Sequence, residues 1–197
     1  MKKVGLFGGT FNPPHIGHLM MANEVYAALD LAEIRFMPNA KPPHKDMLSS
    51  ATNAQRLRMV ELAIEEIPYF HVETFELDRG GVSYTFDTMK AMREREPLTE
   101  FYFIIGGDMI DSLPTWHRID ELMQLVTFVG VKRPGSEAQT SYNVHMVDAP
   151  QIDLSSTYIR NRLQQHKANL HFILPKAVEQ YIREEGLYGS SDVIGSN

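Results

Sequence analysis

This chain contains no cysteine, only one tryptophan and no long hydrophobic run. The lack of cysteine excludes disulfides and thiolate chemistry and makes a cytoplasmic location the default expectation. No apolar stretch approaches the roughly 18 residues that a membrane-spanning helix needs, so we expect no membrane partner. The net charge of −6 provides no broad basic surface, so we expect no nucleic-acid partner either. A small, locally basic pocket for a phosphorylated metabolite remains compatible with that charge.

Two common phosphate-binding motifs are also missing. The chain has no Gly-x-x-x-x-Gly-Lys-Ser/Thr segment, and its first turn lacks Gly-x-Gly-x-x-Gly. These absences disfavour a P-loop kinase and a standard dehydrogenase.

Short apolar segments alternate with segments of helical periodicity along most of the chain. The predicted strands are 3–8, 34–38, 70–73, 100–108, 125–131 and 144–147. The main predicted helices are 16–29, 52–67, one from 83 or 84 to 95, 155–165 and 175–185. This alternation predicts an α/β fold in which a parallel sheet carries helices on both faces. We expect one domain over residues 1–188, fraying from Gly186 onward, with a flexible tail at 189–197.

The first motif with chemical meaning follows the first predicted strand. Gly8 and Gly9 let the backbone approach a ligand closely, and we expect Pro14 at the first position of the next helix. His15 and His18 lie about one helical turn apart and can face the same anion at the helix N-terminus. A tight turn with capping histidines is the alternative. A zinc site would need a third protein ligand, which this segment does not supply.

A second motif lies near the other end of the chain. Ser155, Ser156 and Thr157 open a predicted helix, and Arg160 follows Ser156 by four residues on the same face. Hydroxyl groups, backbone N–H groups and a guanidinium group can hold a phosphate together. Helix capping beside a solvated arginine is the alternative for this segment taken alone.

Taken together, the two motifs resemble those of the nucleotidylyltransferase superfamily, and the inner motifs resemble the bacterial nicotinate-nucleotide adenylyltransferases. The resemblance covers about residues 3–188. It implies a Rossmann-like, doubly wound parallel sheet and adenylyl transfer from ATP to nicotinate mononucleotide. The motifs that carry it are Gly8-Gly9-Thr10-Phe11-Asn12-Pro13-Pro14-His15-Ile16-Gly17-His18, Pro42-Pro43-His44-Lys45, Ser83-Tyr84-Thr85, Gly106-Gly107-Asp108, Trp116, Lys132-Arg133-Pro134 and Ser155-Ser156-Thr157 with Arg160.

The resemblance also implies roles for single residues. The residues implied in ATP binding are Gly8, Gly9, Thr10, Phe11, His18, Gly106, Asp108, Ser156 and Arg160. The residues implied in catalysis are His15, His18 and Arg160, and those implied in binding the mononucleotide are Lys45, Thr85, Trp116 and Arg133. Mg²⁺ is expected to arrive with ATP, without ligands from protein side chains.

Alternatives remain at this point. Trp116 can instead be a partly buried core aromatic residue. The acceptor can be nicotinamide mononucleotide, or either mononucleotide, and a non-catalytic nucleotide-binding protein could share the fold. The sequence leaves both a monomer and a homo-oligomer open.

Overall fold

The computed structural model describes residues 1–40, 51–131, 140–150, 152–166 and 169–190. Its centre is an open sheet of six parallel strands in the order β3-β2-β1-β4-β5-β6. The strands are β1 (Lys2–Gly9), β2 (Glu33–Pro38), β3 (Phe70–Val72), β4 (Thr99–Gly106), β5 (Thr127–Val131) and β6 (Val144–Val147).

Eight α-helices of the described residues connect and flank these strands. They are α1 (Ile16–Ala28), α2 (Asn53–Ile64), α3 (Phe75–Arg79), α4 (Thr85–Arg95), α5 (Gly107–Ile110), α6 (Ile119–Leu125), α7 (Ser156–Gln164) and α8 (Lys176–Glu184). The sequence did not predict α3 or α5, because one turn of helix is too short to show a periodicity. Within the described ranges, no helix combines the length and the apolar character needed to cross a membrane.

Hydrophobic side chains fill both faces of the sheet, as the predicted doubly wound fold requires. On one face the sheet packs against α1, α2, α7 and α8 through residues such as Val25, Val60 and Ile159. On the other face it packs against α4 and α6 through Met89 and Leu122. The strand order changes direction between β1 and β4, where folds of this class bind ligands at the carboxyl ends of the strands. The expected Rossmann-like α/β fold is therefore confirmed.

The structure confirms one of two predictions about where helices begin. The sequence offers Thr52 or Asn53 as the N-cap of α2, and the structure has Thr52, which accepts a hydrogen bond from Gln55 N at 3.2 Å. The expectation that Pro14 opens α1 was wrong, because the helix begins at Ile16. His15 takes the N-cap position instead, with an extended backbone at φ −147°.

The expectation that the chain frays from Gly186 was wrong for the residues up to Ser190. Residues Leu187–Gly189 form a 3₁₀ turn in which the Tyr188 side chain is buried. Ser190 is buried as well, and its hydroxyl donates to Ile182 O at 2.9 Å. The rest of the predicted tail, 191–197, lies outside the described residues, and the domain boundary at 188 stays a prediction.

Candidate active site

The glycine loop, which we define as residues 8–15, leaves the carboxyl end of β1 beside the carboxyl end of β4. Gly9 has no room for a side chain, since a Cβ would lie 2.9 Å from the Phe11 ring. Phe11 adopts the left-handed conformation at φ 48° and packs between the rings of Phe7 and Phe36. The loop therefore folds back over its own first residues and is held by an aromatic cluster.

The two histidines of the motif form a stacked pair at the start of α1. Their ring centroids lie 3.7 Å apart with an interplanar angle of 30°. His18 Nδ1 accepts a hydrogen bond from His15 N at 3.2 Å, so a neutral His18 carries its proton on Nε2. Gly17 leaves room for the His15 ring, because a Cβ at this position would lie 3.1 Å from His15 Nδ1 and Cε1. The prediction that His15 and His18 share one face stands in this geometry.

The second motif does meet the glycine loop. Ser155 caps α7 by accepting from Tyr158 N at 3.1 Å, as the sequence predicts. Ser156 Oγ donates to Pro13 O at 2.8 Å across 143 positions of sequence. Arg160 Nη1 donates to Asn12 O at 2.7 Å, and its Nη2 donates to Thr157 Oγ1 at 3.0 Å. A guanidinium group has five N–H donors, so Arg160 can brace the loop and still donate to an anion.

Sequence reasoning missed Arg56, which lies on α2 beneath the glycine loop and is 1% exposed. Its guanidinium group donates to Thr10 O at 2.6 Å and to Asn53 Oδ1 at 2.8 Å. It also donates to Asn39 O, the first carbonyl after β2. Burial lowers the pKa of Arg56. Among the described residues no carboxylate lies within 4 Å of this guanidinium group, so a buried positive charge stands under the loop.

Sequence reasoning also missed Tyr188 and the side chain of Asn12. The Tyr188 hydroxyl donates to Asn12 Oδ1 at 2.5 Å, which joins the C-terminal turn to the glycine loop. Burial raises the pKa of Tyr188, although the nearby charges of Arg160 and Arg56 lower it. The contact between them gives no local signal in the sequence, because it spans 176 positions.

A second group of residues, which we call the aromatic corner, comprises residues 84–86 and 116–118. The rings of Tyr84 and His117 lie 4.7 Å apart, and the Arg118 guanidinium carbon sits 3.9 Å from the centre of the Phe86 ring. These contacts bring the start of α4, where Thr85 lies, next to the segment that holds Trp116.

Trp116 is half-buried at the edge of this corner. Its ring packs edge-on against Phe103 of β4 and Phe128 of β5, with centroid distances of 6.1 and 5.8 Å. Its Nε1 donates to Ser112 Oγ at 3.3 Å. Trp116 is therefore compatible with both alternatives from the sequence, a core residue and a pocket residue, because part of its side chain packs inward and part stays accessible.

Behind the aromatic corner lies a buried acid that the sequence analysis did not single out. Glu76 of α3 accepts a hydrogen bond from Thr88 Oγ1 of α4 at 2.9 Å, and burial raises the pKa of its carboxyl group. This contact fixes α3 against the helix that begins with Thr85.

The remaining predicted residues fall into two groups. β4 ends at Gly106 and not at Asp108 as predicted, because Gly107 and Asp108 begin α5. The Asp108 side chain, Lys45 and Arg133 lie outside the described residues. Within the part of the chain that the structure describes, no three His, Asp or Glu side chains are grouped so as to hold a metal ion.

Comparisons with known proteins find this chain similar to nucleotidyltransferases. A family model described as cytidylyltransferase-like matches residues 6–162. The "Probable nicotinate-nucleotide adenylyltransferase" of Bacillus pumilus is 53% identical over 96% of this chain and all of its own length. The nicotinate-nucleotide adenylyltransferase of Bacillus subtilis is 47% identical over the same shares of both chains.

Solved structures share the fold at low sequence identity. A nicotinic acid mononucleotide adenylyltransferase of Plasmodium falciparum, complexed with NaAD, superposes with a TM-score of 0.83 at 19% identity. That match covers 97% of this chain and 99% of the other. A putative nicotinate-nucleotide adenylyltransferase of Vibrio parahaemolyticus gives a TM-score of 0.72 at 18% identity, over 98% of both chains.

Proposed function

The chain belongs to the cytidylyltransferase-like family and, within it, to the nicotinate-nucleotide adenylyltransferases, and on that premise we propose how it carries out adenylyl transfer. It transfers the adenylyl group of ATP to nicotinate mononucleotide, which yields nicotinate adenine dinucleotide and pyrophosphate in NAD biosynthesis. The assignment of individual residues to this reaction is our proposal.

One observation carries that assignment: the two separated motifs meet at the glycine loop. Ser156 and Arg160 donate to the carbonyl oxygens of Pro13 and Asn12 from the far end of the chain. Two motifs so far apart in sequence would not need to meet if each only capped its own helix. Their meeting beside the carboxyl ends of β1 and β4 supports one shared phosphate site.

The reaction is an in-line displacement at the α-phosphorus of ATP. An oxygen of the mononucleotide 5′-phosphate forms the new bond to phosphorus, and the bond from phosphorus to the bridging oxygen of the leaving pyrophosphate breaks. The attacking phosphate is already an anion near neutral pH, because its second pKa is about 6. The protein therefore needs alignment and positive charge rather than a strong general base.

The glycine loop and its neighbours supply those needs. The Nε2–H group of His18 is the donor that a phosphate oxygen would meet, because Nδ1 is engaged by His15 N. His15 and Arg160 add donors beside it, and the backbone at Gly8 and Gly9 allows close approach of the triphosphate. Lys45 is proposed as a further phosphate ligand on the basis of the family resemblance alone.

We propose that ATP arrives as its Mg²⁺ complex. In this proposal the ion is held by phosphate oxygens of the nucleotide. ATP and pyridine mononucleotides are cytoplasmic metabolites, so a cytoplasmic location is part of the same proposal.

The mononucleotide base is proposed to bind at the aromatic corner. A flat cationic pyridinium ring favours an aromatic face, which the accessible part of Trp116 offers. The nicotinate carboxylate favours N–H donors, and the first backbone N–H groups of α4, at and after Thr85, have no partner inside the helix. Arg133 is proposed as a further ligand from the family resemblance.

The deciding experiment measures pyrophosphate release from Mg·ATP with nicotinate mononucleotide and, in parallel, with nicotinamide mononucleotide. We expect release with the acid and a much lower kcat/KM with the amide. Equal use of both acceptors would contradict the acid-selective corner and leave adenylyl transfer standing. Binding of ATP without release for either acceptor would contradict the enzymatic function.

A further inference from the structure

Three oxygen atoms of two adjacent residues in the glycine loop are held by the last quarter of the chain. Arg160 donates to Asn12 O, and Ser156 donates to Pro13 O. The third atom is the side-chain oxygen of Asn12, which accepts from the Tyr188 hydroxyl at 2.5 Å and from Ala51 N at 3.3 Å. The first two donors belong to the recognised motif, and Tyr188 does not.

The direction of the Tyr188 bond follows from its partner. A backbone N–H can only donate, so the atom facing Ala51 N must be the amide oxygen of Asn12 and not its nitrogen. That oxygen can only accept, so the Tyr188 hydroxyl must donate. Burial raises the pKa of Tyr188, which keeps its hydroxyl protonated and able to donate at neutral pH. The side-chain amide of Asn12 is thereby held in one orientation.

The backbone of Tyr188 also bears on this contact. Tyr188 has φ 57° and ψ 28°, a left-handed conformation that is uncommon for a bulky residue. The turn brings the ring into the core, where the hydroxyl also lies 3.9 Å from Met59 Sδ of α2. A conformation of this kind persists only where surrounding contacts determine it. For Tyr188 these contacts include the hydrogen bond to Asn12 in the glycine loop.

We propose that Tyr188 is a positioning residue for ATP binding, which acts by holding the Asn12 side chain and through it the glycine loop. The residue does not touch the reacting atoms. This inference rests on the proposed function, because it assigns the triphosphate to the glycine loop.

The test compares Tyr188→Phe with the wild-type protein and with Tyr181→Phe as a matched control. Tyr181 lies on α8, is half-buried and makes no hydrogen bond to the loop among the contacts of the described residues. One net hydrogen bond of about 1 kcal/mol corresponds to about a fivefold change in affinity. We therefore expect Tyr188→Phe to raise the KM and the Kd for ATP about fivefold. The KM for nicotinate mononucleotide should stay within about twofold, and Tyr181→Phe should leave both constants unchanged.

A double-substitution cycle with Asn12→Ala separates positioning from general packing. If Tyr188 acts through Asn12, Tyr188→Phe should have no further effect on ATP binding in the Asn12→Ala background. Unchanged ATP affinity in the single variant, equal rises for both substrates, or additive effects in the cycle would overturn the inference while the proposed function stands. A wild-type protein that binds no ATP in calorimetry would overturn the proposed function and this inference with it.

Discussion

The glycine loop and the aromatic corner are held in place by different kinds of contact. Hydrogen bonds hold the glycine loop, and two of their donors, Ser156 and Tyr188, lie 143 and 176 positions away in the sequence. Ring packing holds much of the aromatic corner, where Tyr84 is 48% exposed and packs at a tilt against exposed His117. The position of the glycine loop is thus set by individual hydrogen-bonding atoms, and that of the aromatic corner by contacts between ring surfaces.

The difference matters because hydrogen bonds are more strictly directional than contacts between rings. A buried acceptor that loses its donor costs about 1–3 kcal/mol, so the atoms of the glycine loop have few alternative positions. Aromatic pairs, in contrast, are favourable over a range of centroid distances of about 4.5–7 Å. We infer that the glycine loop aligns the phosphates and that the aromatic corner adapts to the base. Changes in the loop should then lower turnover or raise the KM for ATP, whereas changes in the corner should raise the KM for nicotinate mononucleotide.

The largest effect is expected for His18→Ala. Loss of a donor that stabilises charge in the transition state should lower kcat about 10²–10³-fold with ATP and nicotinate mononucleotide at saturation. The cap bond from His15 N is lost as well, so thermal unfolding must be measured alongside. His18→Asn is the matched control, because its amide can accept that bond and still offer N–H donors. Near-wild-type turnover in His18→Ala would remove His18 from the mechanism.

Next in size is Trp116→Ala, which tests the corner. Loss of an aromatic stacking partner should raise the KM for nicotinate mononucleotide about tenfold, while the KM for ATP stays within about twofold. Trp116→Phe keeps an aromatic face and the packing against Phe103 and Phe128, and we expect a smaller rise. Equal increases in both KM values would show that Trp116 supports the core and not the base.

A smaller effect is expected for Gly17→Ala, in which kcat and stability should change in opposite directions. The new Cβ would lie 3.1 Å from the His15 ring, which must move by a few tenths of an ångström. We expect kcat to fall about threefold to tenfold, while helix propensity raises stability by about 0.5–1 kcal/mol. The exposed Ala27 of the same helix provides the control, since Ala27→Gly should lower stability and leave kcat unchanged. An unchanged kcat in Gly17→Ala would contradict a steric role for Gly17.

Features that depend on neighbouring residues could be predicted from the sequence, and features that depend on distant contacts could not. The Gly8-Gly9 strand end and the Ser155 cap depend on neighbours within a few residues, and both were predictable. Tyr188 and Arg56 depend on contacts that only the folded chain creates. Arg56 did leave one signal, because it occupies the buried phase of α2 together with Met59 and Val60. A charged residue at an apolar spacing is therefore worth marking as a candidate for a buried structural role.

The smallest effect is expected at Glu96, which lies outside both regions. It tests whether a loss of stability alone can change the KM values. Glu96 accepts two hydrogen bonds from Arg35, at 2.7 and 2.9 Å. The Arg35 bond holds the pKa of Glu96 at about 2, below its ordinary value of 4.5; burial opposes this shift, and Arg95 adds to it.

Because the folded pKa is lowered, the carboxylate stabilises the fold above pH 4.5, and this stabilisation is lost as pH falls from 4.5 towards 2. Glu96→Gln should therefore lower the melting temperature by about 2–4 °C at pH 7, with the difference from wild type shrinking towards pH 3. Thermal unfolding between pH 3 and 7 measures this, with exposed Glu94→Gln of α4 as the control. Both KM values should stay unchanged in Glu96→Gln. A selective rise in the KM for ATP would mean that lost stability alone can reproduce the behaviour assigned to the glycine loop, and the contrast between the two regions would fail.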